Sequence, residues 1–260
     1  MPKKKTKYVP VPSKSILPER DAARAPVLEC VNLGITLGGI KAVDNFNLTV
    51  GRTEIVGLIG PNGAGKTTIL KAVCARHFAS SGKVSVDGVD CALEPERVRR
   101  TTGFVQEKAD FPGDFKVSEF IRMRAEIFSA SSDSVASVVK KCDLEEIWDE
   151  RIKNLSKGQQ ERVNFAQALV NEPSVLVLDE PASGLDPSQI VRMRNLVKSL
   201  KGGRTILLST HLMQEVDALC DKVYIISAGR RIEFGTPSEI VARTKSKNLE
   251  DAFFKLTSSN

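Results

Sequence analysis

The chain has 260 residues, 41% of them hydrophobic and 27% charged, a mix that excludes disordered and fibrous classes and supports a self-sufficient core. Its formal charge is +6, yet residues 1–24 carry seven basic against two acidic side chains, which leaves only +1 for the other 236 residues. A broad basic face for nucleic acid is thereby excluded, the more so at 5% aromatics, and no nucleic-acid partner is expected.

Five cysteines, Cys30, Cys74, Cys91, Cys142 and Cys220, form no C-x-x-C pair, which speaks against a secreted disulfide framework and for a reducing cytosol. No uncharged apolar run reaches the roughly 18 to 20 residues of a membrane-spanning helix. Residues 1–26, with their lysines and prolines, read as a basic mobile tail. Its start lacks the apolar stretch of a signal peptide, and its charge suits a weak attraction to anionic lipid.

In chain order, Leu28 to Leu33 and Ile40 to Val50 are predicted strands, paired antiparallel. Glu54 to Ile59 is a short apolar run, the pattern of a strand buried on both faces. A helix follows from Lys66 to Arg76, and further buried strands are predicted at Ser174 to Leu178, Thr205 to Ser209 and Lys222 to Ile226. Amphipathic segments such as Gln189 to Leu200 alternate with them, so a mostly parallel α/β sheet is expected. Between Glu107 and Val170 only helices are predicted, at Val117 to Phe128, Ser134 to Cys142 and Gly158 to Val170. From Arg230 a short strand pair and two helical pieces, Pro237 to Ala242 and Leu249 to Leu256, close the chain.

The segment Gly60-Pro61-Asn62-Gly63-Ala64-Gly65-Lys66-Thr67, followed by Thr68, matches G-x-x-x-x-G-K-[ST] between a buried strand and a helix. Its glycines let backbone N–H groups turn inward around phosphate oxygens, and the helix adds its positive N-terminus. Lys66 suits the β- and γ-phosphates, and the Thr67 hydroxyl suits magnesium. Downstream, Val175-Leu-Val-Leu-Asp179-Glu180 ends an apolar strand in two carboxylates, Asp179 to hold magnesium and Glu180 to polarise an attacking water. A GTPase would carry Asn-Lys-x-Asp, which is absent, although Asp110-Phe-Pro-Gly113 mimics D-x-x-G.

Leu155-Ser156-Lys157-Gly158-Gln159-Gln160-Glu161-Arg162 begins with a helix cap and a glycine that admits close backbone approach, a second helix N-terminus aimed at an anion. It resembles the signature sequence of ABC ATPases, and the resemblance runs from Leu28 to Leu256. It implies a P-loop (RecA-like) α/β core with a small antiparallel β region and an inserted helical subdomain. It also implies head-to-tail pairing with a second copy of an ATP-binding subunit, each ATP lying between one P-loop and the other chain's Ser156, Gly158 and Gln159. By the same resemblance Gln106 is the Q-loop glutamine near the metal, Ser183-Gly184-Leu185-Asp186 is the D-loop, and His211 is the switch histidine near the γ-phosphate.

Gln167-Ala-Leu-Val-Asn-Glu-Pro173, His211-Leu-Met-Gln-Glu215 and Leu249 to Leu256 resemble export-type and gliding-motility-associated ATPases, whereas Gly38 to Val43 resembles amino-acid importers. The implied division is a tail at 1–26, ATP-binding core at 27–106 and 172–232, helical subdomain at 107–171, and a C-terminal extension at 233–260. The implied activity is magnesium-dependent ATP hydrolysis that drives transmembrane subunits, with export favoured, from the cytoplasmic face of the cell membrane. A soluble ABC ATPase acting on DNA or ribosomes is the rival, but only 113 residues separate Lys66 from Asp179, too few for an inserted long coiled coil. Phe111 and Phe115 are candidates for docking the membrane subunits, with Phe120 read as core. Two departures stand out: Lys157 occupies a position where relatives carry glycine, and Leu37 stands where they place a ring on adenine, unless the loop shifts or Tyr8 supplies that ring.

Overall fold

The computed structural model describes residues 26–258. The lipid attraction expected of the tail, and Tyr8, lie outside the described residues.

Two sheets organise the chain. The smaller is antiparallel in the order β2 (Ile40–Val50), β1 (Leu28–Leu37), β4 (Ser81–Val86), β5 (Val89–Asp90). The larger runs β10 (Arg230–Gly235), β9 (Lys222–Ser227), β3 (Ile55–Ile59), β8 (Thr205–Thr210), β7 (Val175–Asp179), β6 (Thr102–Val105). All its neighbours are parallel except β10 on β9. Every residue of β3, β7 and β8 is buried, as continuous apolar strands covered on both faces must be. One apolar cluster fills the space between the two sheets, with Phe46, Leu70 and Tyr224 at full burial.

A second cluster joins the opposite face of the large sheet to the helices α3 (Val117–Phe128), α4 (Ser132–Lys141) and α5 (Lys157–Leu169). Of the segment predicted to lack strands, only an isolated bridge between Lys116 and Arg151 pairs in β fashion among the described residues. Helices α6 (Pro187–Leu200) and α7 (Met213–Leu219) link the last core strands, and α8 (Pro237–Thr244) and α9 (Leu249–Ser258) close the described chain.

Several boundaries differ from expectation, each for a local reason. Helix α1 (Lys66–Val73) stops short of Arg76 because Ala75 takes a left-handed φ of 50°. Helix α6 starts at Pro187 rather than Gln189, since Asp186 caps it through the N–H groups of Ser188 and Gln189. Strand β1 runs on to Leu37 through register shifts that carry it past Leu33. The strand pair expected after Arg230 is a single strand that folds back on β9. Strand β4, whose first three residues Ser81, Gly82 and Lys83 are exposed and not apolar, went unforeseen, as did two-residue β5 and seven-residue helix α2 (Pro95–Thr101), which are too short for a clear periodicity.

Candidate functional site

The parallel pairing decides what meets at the sheet edge. Ile59 lies beside Thr210, and Asp179 beside Ser209, so β3, β7 and β8 end together. The loops leaving them carry the P-loop, Glu180 and His211, the usual place for a ligand in an open α/β sheet.

Between β3 and α1 the chain turns tightly. A Cβ on Gly60 would lie 2.4 Å from the Ile226 carbonyl oxygen, and Gly65, at φ +100°, would put one 2.6 Å from that of Ala42. Only glycine fits either place. Gly65 supplies no side-chain cap, so the first N–H groups of α1 remain free to meet an anion. Lys66 is 7% exposed; its Nζ donates to the Gly60 carbonyl at 2.8 Å and lies 3.4 Å from Glu180 Oε1.

Asp179 is buried and accepts from two hydroxyls at Oδ1, Thr67 Oγ1 at 3.1 Å and Ser209 Oγ at 2.7 Å. Glu180 adopts a left-handed φ of 49°, held by its N–H on the Ser209 carbonyl and Oγ. Its Oε2 sits 2.7 Å from His211 Nδ1 and 3.3 Å from the His211 backbone N–H. One carboxylate thus spans from the P-loop lysine to the histidine.

These groups surround a cavity of about 510 Å³ lined by Asn62 to Thr68, Glu180 and His211, together with Ala42, Glu107 and Ser183. The last three were not predicted; Glu107 follows Gln106 and Ser183 lies in the D-loop quartet, but only tertiary folding shows that they face inward. Gln106 is half-buried and does not line this cavity, its carbonyl accepting from Asn164 Nδ2 at 2.8 Å. Leu37 is 42% exposed at the hairpin end opposite Ile40, and it too stays off the cavity wall. Gly60, Pro61 and Asp179 likewise do not line it, Asp179 meeting the cavity only through its hydrogen bond to Thr67.

Ser156, Gly158 and Gln159 lie elsewhere, on a second cavity of about 560 Å³ between α5 and α6. Ser156 Oγ accepts the Gln159 N–H at 3.3 Å and Gln159 Oε1 accepts the Ser156 N–H at 2.8 Å, a reciprocal cap. Leu185 of the D-loop faces this second cavity while Ser183 faces the first. Glu161, one turn into α5, has its Oε1 sealed from solvent without a hydrogen-bond partner. Burial raises its carboxyl to about 7, against the opposing pull of the Asn164 hydrogen bond and the Lys157 charge.

Comparison with known proteins agrees with this geometry. The family profile described as ABC transporter matches residues 43–183. The Nod factor export ATP-binding protein I of Cupriavidus metallidurans is 36% identical over 220 residues, 83% of this chain and 73% of that protein. The solved structure of an ATP-binding subunit of an ABC transporter superimposes with a TM-score of 0.82 at 27% identity, over 88% of this chain and 99% of its own. That of cbiO1 from Clostridium perfringens, part of the transporter complex cbiONQ, gives 0.75 at 29% identity over 84% and 91%. With the P-loop, the paired carboxylates and the separate signature helix in these positions, the chain belongs to the ABC transporter family, as an ATP-binding and ATP-hydrolysing subunit.

Proposed function

We propose that this subunit energises export, that it works as a dimer of ATP-binding subunits, and that the hydrolytic base is Glu180. The observation that carries the reading is the Glu180 carboxylate, bracketed by Lys66 at 3.4 Å and His211 at 2.7 Å over a phosphate-shaped loop. In this reading the N–H groups from Asn62 to Thr68 and the Lys66 ammonium hold the triphosphate. Glu180 takes a proton from the attacking water, whose oxygen bonds to the γ-phosphorus as the bond to the ADP oxygen breaks. His211 steadies Glu180 and the γ-phosphate. Gln106 reaches the site by a turn of its side chain, and Leu37 lies toward the base.

Thr67 and Asp179 fit magnesium: their hydroxyl and carboxylate oxygens are hard donors 3.1 Å apart, and no three-residue acidic or His/Cys cluster competes among the described residues. Such a pair is the number of protein ligands magnesium commonly takes beside phosphate oxygens and water. Bound there, the ion neutralises phosphate charge.

Two separate cavities within one chain support a dimer, because the cavity that Ser156 lines shares no residue with the one that Lys66 lines. Export is supported by relatives named as export ATP-binding proteins, and the cargo follows from the membrane subunits. Among the described residues no helix is long and apolar enough to cross a membrane, and we place the chain on the cytoplasmic face, bound to transmembrane subunits. Phe111 packs edge-on against Phe120 with centroids 5.5 Å apart, so docking falls to Phe115, which is 39% exposed. Sedimentation of the Glu180→Gln protein tests the core of the reading. ATP should produce a dimer and ADP should not; the same monomer fraction in both would overturn it.

A further inference from the structure

Strand β6 delivers the chain to the P-loop cavity at a place that α5 fixes. Gln167 Nε2 donates to the Phe104 carbonyl at 3.0 Å, and Asn164 Nδ2 donates to that of Gln106 at 2.8 Å. Both side chains are buried, and Gln167 Nε2 also reaches Asn164 Oδ1 at 3.3 Å, so the two amides brace each other. Buried amides held in this way resist displacement, because a shift would leave a donor unpaired. The backbone is thereby pinned as far as Gln106. The next side chain, Glu107, lines the cavity, whereas Gln106 does not.

Glu107 differs from the other acids of the site. Asp179 accepts from the hydroxyls of Thr67 and Ser209, and Glu180 lies between Lys66 and His211. The Glu107 carboxylate is exposed and has neither a hydrogen bond nor an ion pair among the described residues. Leaving His211 aside, the cavity and the acid that backs Thr67 hold one cation, Lys66, against three carboxylates, Glu107, Asp179 and Glu180. That surplus of two negative charges repels a bare triphosphate and is cancelled by one divalent cation. Two of the three carboxylates are already engaged by neighbours, so the third is the charge that an arriving nucleotide meets.

We propose that Glu107 determines the ionic form of the nucleotide that this site accepts, admitting the complex of ATP with a divalent cation and turning away the metal-free triphosphate. The inference rests on the reading that this cavity holds the triphosphate. Glu107 acts by its charge across the cavity rather than through a fixed contact. Its effect falls on the binding step, because repulsion grows with the negative charge of the ligand, and the metal-free nucleotide keeps the charges that a divalent cation would cancel. An exposed charge is also screened by salt, so the preference should weaken as ionic strength rises.

The test is a titration of the full chain, Glu107→Gln and Glu107→Asp with a fluorescent ATP analogue, once in excess magnesium and once in excess EDTA. The natural chain should bind the analogue about tenfold or more tightly with magnesium than without it. Glu107→Gln should gain affinity chiefly in EDTA and narrow that ratio about three- to tenfold at low salt, and by less in about 0.5 M salt. Glu107→Asp, which keeps the charge, should keep the ratio. Equal affinity of the natural chain in the two buffers would overturn the inference. So would an unchanged ratio in Glu107→Gln, a ratio lost as fully in Glu107→Asp, or a narrowing that salt does not diminish. Lys66→Ala addresses the reading beneath: it should bind weakly in both buffers, and natural affinity in both would instead overturn the assignment of the cavity to the triphosphate.

Discussion

The N-termini of α1 and α5 are both aimed at phosphate in the proposed reading, yet they are built in opposite ways. Helix α1 starts from Gly65 with no side-chain cap, between close backbone contacts, with Lys66 buried and its ammonium already fixed on the Gly60 carbonyl. Helix α5 starts from an exposed Ser156 that satisfies its own end through the reciprocal bonds with Gln159. The first end keeps its donors free in a loop that only glycine can form, a preorganised site. The second is stable by itself and must exchange an internal bond for an external one. ATP should therefore be captured by α1 first and read by α5 afterwards.

The largest effect should come from the α1 side. Glu180→Gln should retain ATP binding and lose about 100- to 10,000-fold in kcat, the usual contribution of a positioned general base. Lys66→Ala should weaken binding of the nucleotide itself. Wild-type turnover by Glu180→Gln would remove chemistry from this end altogether.

Next comes the α5 side. Ser156→Arg should bind ATP in its own P-loop with undiminished affinity but fail to dimerise, and sedimentation with ATP reads the difference. If it lost ATP binding as a monomer, the two ends would not be separable.

A smaller effect separates the ends by pH. Glu161 in α5 is raised by burial, so the folded chain holds its proton to a higher pH than the unfolded chain does. Stability from this group is fullest below the ordinary carboxyl range and is lost as pH rises to about 7. Glu161→Gln should therefore be more stable than the natural chain at about pH 8, by on the order of 1 kcal/mol, and nearly equal to it at about pH 5. Urea unfolding at the two pH values checks this; equal stability at both would mean that the carboxyl is solvated.

The smallest effect concerns the base. If phosphate contacts at α1 dominate, discrimination between ATP and GTP should be slight, and Leu37→Tyr should tighten ATP binding by at most about tenfold. No gain from tyrosine in a titration with a fluorescent analogue would remove Leu37 from the adenine site.

What was legible in the sequence follows the same division. The P-loop is one contiguous run whose glycine spacing is itself the geometry, so Gly60 to Thr68 could be read directly. Asp179 and Glu180 were legible because an apolar strand ends in them. The Glu180–His211 contact was not derivable from spacing, since it depends on β7 pairing with β8 at Asp179 and Ser209. Ala42 and Glu107 line the cavity only because distant strands converge on it. The burial of Glu161 depends on how α5 meets its surroundings, which no local pattern in α5 reports. Short elements such as β5, with two residues, hold too little sequence for any period to show.

The separation of the two cavities has a consequence that belongs to genetics. A chain altered at Glu180 keeps a sound signature face, and a chain altered at Ser156 keeps a sound P-loop and base. Each, paired with itself, would contain two broken sites. Mixed together, they would form a dimer in which one site collects both defects and the other collects none. Two inactive alleles of this subunit would thus complement one another. Each mixed dimer would keep about half the natural activity when the sites work independently and less when each needs the other. Random pairing, in which about half of the dimers are mixed, would leave about a quarter overall.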